Sequence, residues 1–156
     1  MVWTVFTLIS EISAVAFVPS DIKGVEKVFE QLNLKPGKVF VDLGSGDGRV
    51  AELATNKFHM KSVGYEINPW LILLSRWKYK NIEFKQQSLW KADLKAADYI
   101  FCYLSPRAVE KIARIIEKEK LKNLTIISKA FEIKSWKNKL KKKIEITNNN
   151  FFVYQI

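Results

Sequence analysis

Three glycines and two aspartates crowd into residues 42 to 48 of this chain, in the order DLGSGDG. Glycine has no Cβ, so Gly44, Gly46 and Gly48 permit positive φ and let a ligand lie directly on the main chain. Asp42 and Asp47 set carboxylates beside that bare backbone. A pyrophosphate would be repelled by them, and the dinucleotide fingerprint G-x-G-x-x-G also fails, because its last glycine falls on Arg49. A cationic ligand suits the loop better. S-adenosylmethionine carries both an ammonium and a sulfonium, so Asp42, Gly44, Ser45, Gly46 and Gly48 are assigned to it.

A further carboxylate, Glu66, ends the run VGYE eighteen residues after Gly48. At the tip of a neighbouring strand it can accept hydrogen bonds from both ribose hydroxyls. A ribose site alone does not separate the two cofactors; the glycine spacing does. Beyond a third strand, Gln87-Ser88-Leu89-Trp90 is expected to lie against the adenine.

The elements that must position these residues alternate. VFVDL (39 to 43) reads as a buried strand, and 48 to 57 as a helix. SVGYEI (62 to 67) is a second strand, followed by a helix with Pro69 in its first turn. IEFKQQ (82 to 87) and DYIFCYL (98 to 104) are the third and fourth strands. Pro106 opens a helix to about Lys118, and LTIISKAFE (124 to 132) is the fifth strand. Before them, Ser20 or Asp21 caps a helix from Ile22 to Leu32 that buries Val25, Val28, Phe29 and Leu32. IEIT and FFVYQI, joined by Asn148-Asn149-Asn150, form a closing hairpin that adds an antiparallel strand at one edge. Such repeats imply an α/β fold: a Rossmann-like, seven-stranded, mostly parallel sheet with a C-terminal antiparallel hairpin whose last strand is inserted antiparallel, and helices on both faces.

The totals narrow the classes. At 156 residues the chain is the size of one domain. The single cysteine, Cys102, excludes an internal disulfide and a thiolate zinc site, and fits a reducing, cytoplasmic setting. The single histidine, His59, excludes a histidine metal cluster, and no metal is expected. The net charge is +10, and residues 107 to 143 hold thirteen Lys/Arg against four Glu. That basic stretch favours an acidic or nucleic-acid partner, or is simply a solvated lysine-rich surface. Residues 1 to 18 hold thirteen apolar residues and no Lys or Arg, with Glu11 inside. They make a helix of about 27 Å, short for a bilayer span, suited to lying on a membrane or on the domain itself. The organisation is therefore an N-terminal apolar segment, 1 to 18, and a catalytic domain, 19 to 156.

DLGSGDGR, GYEINPWLILLSR, SLWKADL and FEIKSW together resemble a compact family of seven-strand protein-lysine methyltransferases. The family includes small archaeal enzymes and the mitochondrial methyltransferases of ATP synthase subunit c and of the adenine nucleotide translocase. The resemblance covers roughly residues 17 to 136, and its most specific part is the Asn-Pro-Trp of GYEINPWL with the following LWK. It implies that Asp42, Gly44, Gly46 and Gly48 hold the methionine part of the cofactor and that Glu66 holds the ribose, with Asn68 close by. It places Leu89 and Trp90 beside the adenine, and Phe17-Val18-Pro19-Ser20 as a short element closing over the cofactor. Ser88 stands where the family usually has aspartate, and Lys134 where it often has proline.

The expected reaction is methyl transfer to lysine side chains of proteins by a monomeric enzyme. Tyr103, on the exit of the fourth strand, is assigned to the wall of the lysine channel or to proton acceptance, and Trp136 to its outer rim. YLSP at that exit is not the Asn/Asp-Pro-Pro-aromatic stretch of enzymes that methylate flat amino groups. RNA methylation through the basic 107 to 143 face is the alternative, and a protein that binds without catalysis is a third reading. Without a separate substrate domain, a shallow surface at the strand tips implies broad specificity. The run Lys139 to Lys143 reads as flexible and exposed, hence a target for self-methylation.

Overall fold

The computed structural model describes residues 18–156. The N-terminal segment 1 to 17, including Phe17 of the expected closing element, lies outside the described residues. Helix α1 (Ile22–Leu32) starts where the Asp21 carboxylate accepts the Lys23 N–H at 3.2 Å, and stops at Asn33, whose φ of 49° is left-handed. Asp21, not Ser20, is the cap. Val25, Val28 and Phe29 are fully buried on its inner side.

The chain then alternates through β1 (Val39–Leu43), α2 (Arg49–Asn56), β2 (Lys61–Glu66), α3 (Pro69–Lys78), β3 (Glu83–Gln86) and β4 (Tyr99–Cys102). It continues through α4 (Pro106–Lys118), β5 (Thr125–Lys129), β6 (Leu140–Ile146) and β7 (Asn149–Gln155). Single 3₁₀ segments occupy Leu89–Lys91 and Lys134–Lys139. The seven strands form one sheet in the order β3-β2-β1-β4-β5-β7-β6. All pairs from β3 to β5 are parallel, and β7 runs antiparallel to both neighbours.

Strand alternation divides the core between two faces. Phe40, Phe101, Ile127 and Val153 face α1 and α2, where Phe29 packs edge-on to Phe40 and Phe101. Val41, Ile100, Ile126 and Tyr154 face α4, which contributes Val109, Ile112 and Ile116. Each of these helix side chains is fully buried and contributes about 1.5–3 kcal/mol. Strand order reverses between β1 and β4, so their carboxyl ends open a crevice there.

The C-terminal region has its last strand inserted antiparallel, as expected, and departs from expectation in two other ways. β7 lies between β5 and β6, and β6 is the edge strand. The hairpin turn is Thr147-Asn148, with φ of 49° and 62°, so the chain reverses in two residues and Asn149 and Asn150 are already in β7. The run expected to be flexible is strand: Leu140 to Lys143 begins β6, with Lys141, Lys142 and Lys143 exposed. Charge on an edge strand discourages pairing with other chains, which is a sufficient structural reason for those lysines. β5 also ends at Lys129, short of the expected 132, because Ala130 turns to φ 71°.

Candidate active site at the carboxyl ends of the strands

The loop after β1 is folded by its glycines and tied to β2. Gly44 and Ser45 both donate their N–H to the Tyr65 carbonyl at 2.9 Å, and Gly46 donates to Glu66 Oε2 at 3.0 Å. Gly44, Gly46 and Gly48 have φ of 77°, 55° and 85°, a region that side chains disfavour. Two of them are bare for different reasons. A Cβ on Gly44 would meet only Leu104 Cδ2, at 3.4 Å, so this glycine leaves open space. A Cβ on Gly48 would come within 2.7 Å of the Phe84 ring and 3.2 Å of Ser75, so this glycine serves the packing of α2 against β3 and α3.

The two aspartates differ as sharply. Asp47 is clasped by Arg49, whose Nη2 donates to Oδ2 at 2.6 Å and whose Nε donates to both oxygens. Burial pushes its pKa up, but the hydrogen bonds and charge of Arg49 outweigh that and hold it below the ordinary aspartate value. Asp42, in β1 and only 3% exposed, has no cation, and its Oδ2 has no hydrogen-bond partner among the described residues. Burial, then the nearby Glu66 charge, push its pKa up to about 8, partly offset by the Ala51 N–H. One carboxylate of the loop is already neutralised; the other lacks a positive partner.

Glu66 stands at the tip of β2 with its side chain held by backbone. Oε1 accepts the N–H groups of Ile67 and Asn68, each at 2.8 Å, while Oε2 takes that of Gly46. Each carboxylate oxygen accepts about two hydrogen bonds, so Oε2 retains capacity for a ligand donor. Asn68 caps α3, its Oδ1 accepting from Trp70 and Leu71 N–H. Ser45 is turned inward: its hydroxyl lies where a Cβ on Gly64 would be 2.8 Å away, and it has no hydrogen-bond partner among the described residues.

Ser88, Leu89 and Trp90 form the short turn after β3, all half-buried. Leu89 and Trp90 pack on the α4 face of the sheet, and Lys111 of α4 sits 4.0 Å above the Trp90 ring. Tyr103 leaves β4 on the opposite face, half-buried against the α1–α2 core. Trp136 is not a rim residue. It is 1% exposed, stacks edge-on with Tyr154, and donates its indole N–H to Glu117 at 2.6 Å. Its size and N–H serve the packing of the 134 to 139 turn on α4.

Sequence reasoning missed Gly64, Phe84 and Lys129 here. Gly64 and Gly48 together make room for Phe84: a Cβ on Gly64 would reach within 2.6 Å of that ring. An isolated glycine inside a strand is the available signal for such an approach. Leu104 is the apolar neighbour of Gly44. Lys129, at the end of β5, is 3% exposed, and its ammonium lies 4.3 Å from the Tyr103 ring centroid. No ion pair holds it among the described residues. Burial lowers its pKa, partly countered by the charge of Asp21. A hollow of about 280 Å³ lined by Leu32, Tyr99, Thr125 and Gln155 carries none of the predicted site residues.

The family described as "ANTKMT methyltransferase domain" matches residues 42–152. The chain is similar to the adenine nucleotide translocase lysine N-methyltransferase of Mus musculus, 30% identical over 128 residues, 78% of this chain and 56% of the relative. It thus spans little more than half the length of that protein. It is also similar to a protein-lysine N-methyltransferase of Saccharolobus islandicus, 30% identical over 155 residues, 93% of this chain and 94% of the relative. Among solved structures it resembles an RNA methyltransferase from Salinibacter ruber in complex with S-adenosyl-L-homocysteine. That match has a TM-score of 0.82 and 27% identity, and it covers 89% of this chain and 94% of the other.

Proposed function

The chain belongs to the ANTKMT methyltransferase domain family, and we propose that it is an S-adenosylmethionine-dependent methyltransferase acting on lysine side chains of proteins. The observation that carries the cofactor is Asp42: a buried carboxylate without a cation, beside an open Gly44 and in the field of Glu66. A sulfonium or ammonium supplies the missing charge, whereas a pyrophosphate would add to the repulsion. The residues present therefore fit S-adenosylmethionine. Asp42, Gly44 and Gly46 would hold its methionine part, Glu66 its ribose hydroxyls, and Ser88, Leu89 and Trp90 its adenine. Ser45 and Gly48 shape the loop from behind, and Asn68 fixes the start of α3 beside Glu66.

When bound, the cofactor supplies an activated methyl group for in-line displacement by an amine. The task left to the chain is to bring in the amine neutral and aligned. A free lysine has a pKa of about 10.4, so its ammonium must first lose a proton. Leu104, buried beside Gly44, makes the surroundings of the loop apolar, and the Lys129 ammonium lies over Tyr103 at the neighbouring strand end. An apolar wall and a fixed cation both disfavour a second ammonium and lower the pKa of an incoming amine. Tyr103 thus acts as the wall that carries Lys129.

Lysine as acceptor is supported by the Saccharolobus protein-lysine N-methyltransferase, which this chain matches over almost its whole length. RNA as acceptor is the second reading, favoured by the Salinibacter structure and by the exposed lysines of α4 and β6. Transfer of labelled methyl to the proteins and, separately, to the RNA of a cell extract distinguishes them, with Glu66→Ala as control. Label on protein lysine, lost in the variant, supports the proposal; label confined to RNA overturns it.

A further inference from the structure

We propose that the outer face of α3 is a docking surface for an anionic phospholipid bilayer. Trp70, Leu73, Leu74 and Trp77 are 77%, 61%, 36% and 69% exposed. At about 100° per residue they fall within one arc of roughly 100°, opposite the buried Ile72 and Ser75. The helix is therefore apolar on both sides. Ile72 packs with Ala51, Ile82 and Phe84 beneath it, while the tryptophan side is covered by no described residue. A contiguous apolar patch of this kind on a folded domain marks an interaction surface.

Chemistry favours lipid as the occupant. The surface is the convex side of a single helix, not a groove that could receive a peptide. Its two largest groups are tryptophans, whose apolar ring and polar N–H suit the bilayer–water boundary. From Ile67 to Lys80 there are three basic residues, Arg76, Lys78 and Lys80, and no carboxylate. Lys78 and Lys80 are exposed at the end of the stripe, as in helices that lie in the plane of an anionic membrane. The flanking carboxylates are engaged elsewhere, Glu66 on backbone N–H groups and Glu83 on Lys85 at 3.4 Å. The net charge of +10 adds long-range attraction to an anionic surface. No helix among the described residues is long and apolar enough to cross a membrane, so this contact is peripheral. Trp70 stands on the first turn after Glu66, so a docked α3 would bring the carboxyl edge of the sheet close to the lipid surface.

Co-sedimentation of the full chain with vesicles of phosphatidylcholine alone, and with phosphatidylserine added, tests the proposal. The expected result is binding that requires phosphatidylserine, weakens with salt, and falls at least about tenfold in Trp70→Ser/Leu73→Ser/Trp77→Ser. These are solvent-facing substitutions, and an unchanged melting temperature would show that the fold is kept. A second full-length variant, Val5→Asp/Ile9→Asp, separates the apolar N-terminal segment from the stripe: binding that persists in it yet is lost in the triple variant supports α3. Undiminished binding by the triple variant overturns the proposal, as does failure of the unaltered chain to bind vesicles containing phosphatidylserine. Neither result depends on the methyl acceptor.

Discussion

Glu66, at the tip of β2, accepts the N–H of Gly46 from the loop after β1 at 3.0 Å, so two strand ends are locked through one carboxylate. The same side chain also gathers the N–H groups of Ile67 and Asn68. Glu66 therefore shapes the site and, on our proposal, also binds the ribose. Glu66→Gln keeps one acceptor oxygen, and Glu66→Ala keeps none. Cofactor affinity by calorimetry should fall roughly tenfold in the first and about a hundredfold in the second, since hydrogen bonds to a charged group contribute about 1.5–3 kcal/mol. Equal affinity in Glu66→Ala and the unaltered chain would remove Glu66 from the site.

Gly48 and Gly37 offer a matched pair. Both have positive φ, 85° and 77°, but a Cβ on Gly37 meets nothing within 4 Å, whereas one on Gly48 strikes the Phe84 ring. Gly37→Ala should cost only the left-handed backbone strain, about 1–2 kcal/mol. Gly48→Ala adds overpacking of about 1–3 kcal/mol. Denaturant unfolding of both variants checks the difference, and equal losses would refute the contact.

Asp42 makes cofactor binding depend on pH. Its folded pKa of about 8 is raised above the ordinary 3.8, so the ligand-free fold holds a proton that the unfolded chain releases. The sign follows: between about pH 4 and pH 8 the ligand-free protein loses stability as pH rises. A cationic ligand favours the ionised carboxylate, so its affinity should climb over the same window and its binding should release a proton. Asp42→Asn should flatten both curves. Calorimetry in buffers of different ionisation enthalpy counts the proton, and a count of zero at pH 6 would sink the idea.

Lys129 should set the pH at which the amine reacts. Removing its charge in Lys129→Met lets the incoming ammonium keep its proton to higher pH, and the rate profile should move upward by about one pH unit. Lys129→Arg should restore the profile. A loss of rate uniform in pH would instead mean that Lys129 only packs.

Trp136 should answer to stability and not to substrate. Trp136→Phe removes the indole N–H that Glu117 accepts and leaves a void beside Tyr154. A loss of about 2–3 kcal/mol on unfolding is expected, with KM for a protein substrate unchanged. A raised KM at unchanged stability would return it to the rim.

The sheet and the glycine loop were legible because their signals are local. Strand and helix periods, Pro69 and Pro106 at helix starts, and the spacing of Gly44, Gly46 and Gly48 lie within short windows. What stayed hidden depends on contacts between distant residues. Nothing near Trp136 in sequence shows that Glu117 and Tyr154 enclose it. Nothing near Asp42 in sequence shows that it is buried without a cation in the field of Glu66. The lysines of β6 read as a loose tail because charge alone does not distinguish an edge strand from a coil. The inserted place of β7 was legible only from the layout as a whole: hairpin chemistry fixes its pairing with β6, but not which of the two strands joins β5.

That placement of β7 has a consequence for how the molecule is made. β5 and β6 are not hydrogen-bonded to each other; β7, which follows both in the chain, lies between them, and β5 has β4 as its other neighbour. During synthesis β1 to β5 can pair as they emerge, but β5 keeps an open edge until residues 149 to 155 arrive. The final pairing joins residues 22 to 30 positions apart, from Lys129 with Phe151 to Thr125 with Gln155, so closing the sheet is a late, non-local step. Until then an exposed strand edge invites aggregation, and a newborn chain stalled before Asn149 is the form most in need of a chaperone.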